Sequence, residues 1–263
     1  LVERLRARPQ GQGAGFRNSA FARTGAASDD NRLAHGIVTK QKRANIERGN
    51  TTMRGDETTE ILMIRHAPSL DEGRLAGARD VAARLEGARI APLRAVIGAV
   101  DQVIASPMLR CQQTAAALFE TWEDAPALRE QDFGAWEGVP YADLPDIGAM
   151  SGAELTQHRP PEGESFADLC ARACPAITAL AAPQAVSQTQ RKIALVAHAG
   201  TIRAALSHAF DMHPEAAVRF EIENVSITLI EHFEQADPAH AWRVAFTNYM
   251  PRELVIAHAG SAA

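Results

Sequence analysis

The chain has 263 residues, of which 46% are hydrophobic, 22% charged and 5% aromatic; this fits an ordinary globular protein and excludes a fibrous or wholly disordered one. No apolar run approaches the ~18 to 20 residues of a membrane span, so no membrane partner is expected. With 27 basic and 32 acidic residues the net charge is -5, which argues against binding nucleic acid through bulk charge. That total conceals a division. Residues 1–52 hold ten basic and four acidic side chains and so carry +6, and the other 17 basic and 28 acidic residues give 53–263 a charge of -11. Lysine occurs only as Lys40, Lys42 and Lys192, so cationic contacts in the larger part must come from arginine.

Residues 1–55 mix Gly, Ser, Asn, Thr and Arg without an apolar period and are expected to be a disordered basic leader. The first methionine, Met53, lies just ahead of the first strand and suggests a natural start there; an Arg-rich targeting peptide is the rival reading, though the segment has no apolar core for secretion. One folded domain is expected over 56–256, with a flexible tail at 257–263. EILMIR at 60–65 is nearly all apolar, as in a strand buried on both faces of a parallel sheet. The stretch 80–98 reads as helical in part, 101–106 as a second strand and 108–122 as a helix. Apolar residues at helical spacing cover 166–181, where Pro175 is expected to kink or divide the helix. Residues 192–200 form a third buried strand ending in a His-Ala-Gly turn, and a helix follows from Thr201. Two strands, at 224–233 and 241–249, close the series. The alternation implies an α/β fold, a three-layer α/β/α sandwich on a mostly parallel central sheet.

Cys111, Cys170 and Cys174 give no disulfide framework and are expected to be buried, reduced thiols in a cytoplasmic protein. The chemistry is expected at the carboxyl edge of the sheet, where reactive groups gather in open α/β folds. Arg65-His66 follow the first strand, Ser106-Pro107 with Arg110 the second, and His198 the third. Two histidines and two arginines at one edge suit a doubly charged oxyanion, because the guanidinium fork matches phosphate oxygens. A neutral imidazole among them can attack phosphorus and split one displacement into two.

LMIRHAPS (62–69), ASPMLRCQQTA (105–115), LREQDFGAWEG (128–138), PEGESF (161–166) and VAHAGTIRA (196–204) resemble, in order and spacing, the histidine phosphatase superfamily, which includes the phosphoglycerate mutases. The resemblance extends over about 60–250, including the strand from Asn224 to Thr228. It implies a phosphoglycerate mutase-like catalytic domain in which His66 is the nucleophile, Arg65, Arg110 and His198 hold the phosphoryl group, and Glu130 gives a proton to the leaving oxygen. His66 must then attack unprotonated, with its far ring nitrogen held as a donor by a backbone carbonyl. His198 is more useful protonated, and Glu130 must carry a proton near neutrality, which burial or an anionic substrate favours.

The sequence also departs from that pattern. Members usually read Arg-His-Gly where this chain has Arg65-His66-Ala67-Pro68, so the loop should be stiffer and should lean on side chains such as Ser69. Together with GRLAGARD (73–80), this variant looks like the α-ribazole phosphatase branch. Ser69 and Arg74 are candidate substrate-side residues. Mutases of the family carry paired arginines in a longer insertion, whereas this chain offers only Arg159 between Gly138 and Pro160; the expected activity is therefore hydrolysis of a small-molecule phosphomonoester, with mutase-type transfer as the alternative and a non-catalytic phosphoprotein binder as a third reading. Arg203 is expected on a helix surface or in a structural ion pair, Glu137 near the site, and Glu164 and Ser165 as caps of the next helix. The other seven histidines are expected in surface or packing roles. No phosphate-binding Gly-rich loop, dinucleotide fingerprint or His-Glu-x-x-His helix occurs, so no cofactor and no metal are expected. Nothing in the sequence fixes an oligomeric state.

Overall fold

Thr58–Arg65 form strand β1, and its inner run Ile61–Ile64 is buried on both faces. The computed structural model describes residues 58–251 except Glu72, 183–189, 235, 238 and 239; the expected leader, Met53 and the C-terminal tail lie outside the described residues. The elements that follow are α1 (Ile90–Ile97), β2 (Gln102–Ala105), α2 (Leu109–Leu118), β3 (Glu123–Asp124), α3 (Gly152–Gln157), α4 (Phe166–Ala181), β4 (Gln190–Ala197), α5 (Ala199–Ala209), α6 (Pro214–Ala217), β5 (Ile227–Phe233) and β6 (Trp242–Tyr249).

The six strands form one sheet in the order β3-β2-β4-β1-β5-β6. The first four are parallel, and β5 and β6 turn back as antiparallel neighbours. Strand alternation sorts the core into two layers. Ile61, Met63, Ile193 and Leu195 face Leu169 and Ile177 of α4 and Ile202 of α5. Leu62, Ile64, Ala194 and Val196 face Leu93 and Ile97 of α1 and Cys111 of α2. Helices thus cover both faces, and the architecture is the three-layer α/β/α sandwich expected from the sequence. Each fully buried Ile or Leu in these layers contributes roughly 1.5–3 kcal/mol.

The register decides where the chemistry can lie. Arg65 sits opposite Ala197 and Ala105 opposite Val196. Because β4 lies between β1 and β2, the residues leaving the three strands, His66, Ser106 and His198, emerge side by side. The exits are tied across the strands: His66 N donates to Ala197 O at 3.0 Å and Ser106 N to Val196 O at 2.9 Å.

The stretch 80–98 is helical in part, as expected, over Ile90–Ile97. Other sequence expectations are corrected. The helix expected over 108–122 ends at Leu118, and Glu123–Asp124 pair with β2 as the short strand β3. Pro175 does not divide α4, which runs unbroken from Phe166 to Ala181; Pro175 is solvent-exposed, so the backbone bond it removes lies on the wet face. The strand expected from Asn224 begins at Ile227, after a bend in which Val225 has φ 55°. Cys111 is buried, whereas Cys170 and Cys174 are only half-buried; all three are free thiols.

Candidate active site

His66 is 6% exposed, and its two ring nitrogens have different partners. Nδ1 lies 2.6 Å from the Ala67 carbonyl, which can only accept, so Nδ1 carries the proton. Nε2 is then the bare nitrogen, and it accepts from Arg110 Nε at 3.3 Å. Burial first, and then the charges of Arg110 and Arg65, hold the His66 pKa well below the ordinary imidazole value. This is the neutral tautomer that nucleophilic attack requires. The backbone around it is fixed from three directions. Thr114 Oγ1 accepts from Ala67 N at 2.9 Å and donates to Arg110 O at 2.7 Å, and Asn224 Nδ2 donates to His66 O at 2.8 Å. Val225 N donates to Arg65 O at 3.0 Å, and Ser226 O accepts from Arg65 N at 3.2 Å. A β-branched residue in the left-handed region costs on the order of 1–2 kcal/mol, and at Val225 this clamp offsets that strain.

Arg110 is 1% exposed, which is tolerable for a guanidinium only because its donors are matched. Besides His66 it reaches Gly77 O at 2.7 Å and Arg79 O at 2.8 Å. Gly77 adopts φ +52°, and a Cβ there would lie 2.2 Å from Glu137 Oε1, so both conformation and space require glycine. Arg65 Nη1 donates to Ile222 O at 2.5 Å, while its buried Nε has no partner among the described residues. Burial lowers the Arg65 pKa, opposed by the charge of Glu130. His198 caps α5, is fully buried, and its ring lies 5.1 Å from that of His66. Its Nε2 hydrogen-bonds Ser106 Oγ at 2.8 Å and lies 3.4 Å from Cys111 Sγ. Burial first, and then the charges of Arg110 and Arg65 with the neighbouring His66 ring, push its pKa well down, so these surroundings alone favour neutral His198 and the more useful protonated form needs an anion beside it. Burial likewise pushes the Cys111 thiol up and leaves it an inert neighbour.

Glu130 is half-buried in the irregular segment after β3. Its Oε1 accepts from Gln131 N at 3.0 Å, and its Oε2 lies 3.4 Å from Gly200 N in the first turn of α5. The carboxylate therefore rests on the same helix start that presents His198. A Cβ at residue 200 would lie 2.2 Å from Glu130 Oε1, so the glycine of the His-Ala-Gly turn leaves the space that Glu130 fills.

The profile of the histidine phosphatase superfamily (branch 1) matches residues 60–245, the larger part of the chain. The chain belongs to the histidine phosphatase superfamily. Among relatives by sequence, it is 30% identical over 118 residues to a 6-phosphofructo-2-kinase/fructose-2,6-bisphosphatase of Aquarana catesbeiana, a match covering 43% of this chain and 24% of that protein. It is 31% identical over 114 residues to the human 6-phosphofructo-2-kinase/fructose-2,6-bisphosphatase 1, covering 42% and 23%. The matched stretch is thus about a quarter of the length of these relatives. Among solved structures, the fold is similar to the mycobacterial hydrolase 2, with TM-score 0.66, 22% identity and coverage of 74% of this chain and 93% of that one. It is also similar to the mycobacterial glucosyl-3-phosphoglycerate phosphatase, with TM-score 0.63, 24% identity and coverage of 73% and 100%. Membership of this superfamily supports an enzyme of the phosphatase or mutase type.

In this member of the superfamily, Arg65, His66, Arg110, His198 and Glu130 come together, and the other candidates stand apart from them. Arg74 is exposed, donates to Gly138 O at 2.7 Å and lies 3.8 Å from Asp71. Ser69 forms a β-bridge with Ala83. Both secure the loop that carries Gly77 and Arg79. Glu137 accepts from Ala78 N at 2.5 Å and Phe133 N at 3.0 Å, and burial raises its pKa against those two donors; its role is to brace that loop. Arg203 donates to Phe220 O at 2.8 Å. Ser165 is the N-cap of α4, in a capping box with Asp168, whereas Glu164 pairs with Arg172 rather than capping. Among the described residues no group of three or more His, Cys, Asp or Glu is arranged to hold a metal ion, and no helix is long and apolar enough to cross a membrane. Sequence reasoning missed Thr114, Asn224 and Arg172 as site supports, and it noted Ser106 only as a strand exit. Thr114, four residues after Arg110 on α2, was within reach of a helical-spacing argument; Asn224 and Arg172 act across long separations that no local pattern encodes.

Proposed function

We propose that the protein is a phosphomonoesterase that acts on a small-molecule phosphate through a phosphohistidine on His66. The observation that carries this reading is the state of His66: the Ala67 carbonyl fixes the proton on Nδ1, and the unprotonated Nε2 is aimed at Arg110 Nε, whose N–H a phosphoryl oxygen can take over as Nε2 attacks. Beside it, Arg65 Nε is a buried donor with no partner among the described residues, suited to a phosphoryl oxygen. In the first step a bond forms between Nε2 and phosphorus while the bond from phosphorus to the leaving oxygen breaks, and Glu130 delivers its proton to that oxygen. In the second, water attacks phosphorus, Glu130 takes a proton from the water, and the electron pair of the N–P bond returns to Nε2 as orthophosphate leaves. Arg65, Arg110 and His198 serve the equatorial oxygens, where transition-state charge gathers. Burial first and the arginine charges next disfavour protonated His198; the incoming dianion offsets the arginine charges, so phosphate binding shifts His198 toward its protonated form.

Hydrolysis is favoured over mutase transfer by the fate of Arg159. It is the one arginine in the sequence between Gly138 and Pro160, and it pairs with Asp168 at 2.6 Å. The finer reading is an α-ribazole phosphatase, on the Arg-His-Ala-Pro block together with GRLAGARD at 73–80. Replacing His66 by alanine should lower turnover of 4-nitrophenyl phosphate by on the order of 10⁴-fold or more. Wild-type enzyme quenched in alkali during turnover should gain the mass of one phosphoryl group, and the variant should not. Near-normal turnover by His66→Ala would sink the mechanism. A panel including α-ribazole phosphate and 3-phosphoglycerate then identifies the leaving group; release of the 2-isomer instead of orthophosphate would select a mutase.

A further inference from the structure

We infer that Arg172, on α4 and outside every block that carries the phosphate chemistry, is the positioning residue that sets Glu130 against the leaving oxygen. The inference rests on the assignment of Glu130 as the acid. A guanidinium has five N–H donors, and all five of Arg172 are used. Nη1 donates to Ala127 O and to Arg129 O, both at 2.8 Å, and Nη2 donates to Glu130 O at 2.9 Å. The remaining two hold Glu164, from Nε to Oε2 at 3.1 Å and from Nη2 to Oε1 at 2.5 Å. The fourth carbonyl of the segment, Leu128 O, accepts from Thr201 Oγ1 at 3.2 Å, and the Leu128 side chain is fully buried. Every carbonyl from 127 to 130 therefore has a named donor, in a stretch with no α-helix or strand to supply one.

Glu164 extends the grip to the far side of the acid. Its Oε1 accepts from Asp132 N at 3.1 Å, its carbonyl accepts from Gln131 Nε2 at 2.8 Å, and its N donates to Asp132 O at 2.8 Å. Arg172 and Glu164 together hold the main chain on both sides of Glu130, whose own carboxylate is hydrogen-bonded, among the described residues, to Gln131 N and Gly200 N. The geometry needs a planar fork. A lysine at 172 keeps the charge but presents three donors from one nitrogen, and it cannot reach three carbonyls and a bidentate carboxylate together. A displacement of about 1 Å at a reacting group can cost on the order of 10²-fold in rate.

Leaving-group dependence separates positioning of the acid from general damage. Phenyl phosphate leaves as a basic oxygen that needs a proton, whereas 4-nitrophenyl phosphate leaves as an acidic one that does not. Arg172→Lys should lower kcat/KM for phenyl phosphate by about 10²-fold and for 4-nitrophenyl phosphate by less than about threefold. The ratio of the two is independent of how much of the sample is folded, and Arg172→Gln should move it the same way. Glu130→Gln should show the same selective loss, and the double variant should show no lower ratio than Glu130→Gln alone. If both Arg172 variants slow the two substrates by one factor while Glu130→Gln remains selective, the positioning role is overturned and the acid assignment stands. If Glu130→Gln is itself unselective, the acid assignment fails and the role of Arg172 falls with it.

Discussion

His66 and His198 leave the sheet from the neighbouring strands β1 and β4, whereas Glu130 is carried by a segment that has no ladder of its own. The position of the first pair is repeated at every residue of the register from Thr58 to Arg65, so it is as stiff as the core beneath it. The position of Glu130 depends on side chains, chiefly Arg172 and Glu164, which substitute for a sheet edge. On the proposed function, one site thus combines a rigid phosphate cup with an acid carried on an arm of replaceable contacts. The contrast teaches where specificity can change without loss of the fold: damage at the cup should affect every phosphate ester, and damage at the arm only those whose leaving oxygen needs a proton.

The largest effect expected from a conservative change lies at the cup. Arg110→Lys keeps a cation but loses the fork that joins His66 Nε2, Gly77 O and Arg79 O. Removing such an oriented donor costs on the order of 10²–10³ in rate. The loss should be equal for phenyl and 4-nitrophenyl phosphates when the two are assayed side by side; a selective loss would mean that the cup and the arm are not separable.

Next in size is a pH effect on the cup alone. His66 and His198 have folded-state pKa values held well below that of an unfolded imidazole, by burial first and by Arg110 next. The unfolded chain therefore binds more protons once pH falls below ~6.5. Stability is fully present above that pH and declines as pH drops toward the depressed folded-state values, by about 1.4 kcal/mol per pH unit for each titrating histidine. Thermal unfolding between pH 7.5 and 5.5, where ~6.5 is the pivot, should show a shallower decline for His198→Gln than for the wild type. Parallel curves would contradict a neutral buried His198.

The cup was legible in the sequence because strands advertise themselves. EILMIR and KIALVA are apolar runs, and the polar residues that end them fall at the carboxyl edge without further information. The glycine of His-Ala-Gly was visible too, though not its reason, the 2.2 Å approach of Glu130 Oε1 to a Cβ at 200. What sequence reasoning could not reach was long-range pairing: Asn224 holds the His66 carbonyl across 158 positions, and Arg172 reaches Glu130 across 42. Pro175 misled because its burial, not its identity, decides what it disrupts. The depressed pKa of His198 was not legible either, because it depends on burial and on Arg110, which lies 88 positions away in sequence but beside it in space.

The smallest effect should come from the arm, at Gly200. A methyl group there would meet Glu130 Oε1 at 2.2 Å and Leu169 Cδ2 at 2.8 Å; the half-buried Glu130 carboxylate can swing aside, and the buried end of Leu169 must shift slightly. Residue 200 lies in the first turn of α5 without a positive φ, where alanine is the better helix former by roughly 1 kcal/mol. Gly200→Ala should therefore leave the melting temperature within a few degrees of the wild type, since a change of 1 kcal/mol shifts it by roughly 2–4 °C in a domain of this size. What the methyl group displaces is the carboxylate itself, while the main chain under it stays in the grip of Arg172. Hydrolysis of phenyl phosphate should fall about tenfold and that of 4-nitrophenyl phosphate hardly at all, a smaller selective loss than at Arg172 because only the end of the Glu130 side chain moves. A fall in both substrates with an unchanged melting temperature would place Glu130 in the cup rather than on the arm, and the division between the two regions would not hold.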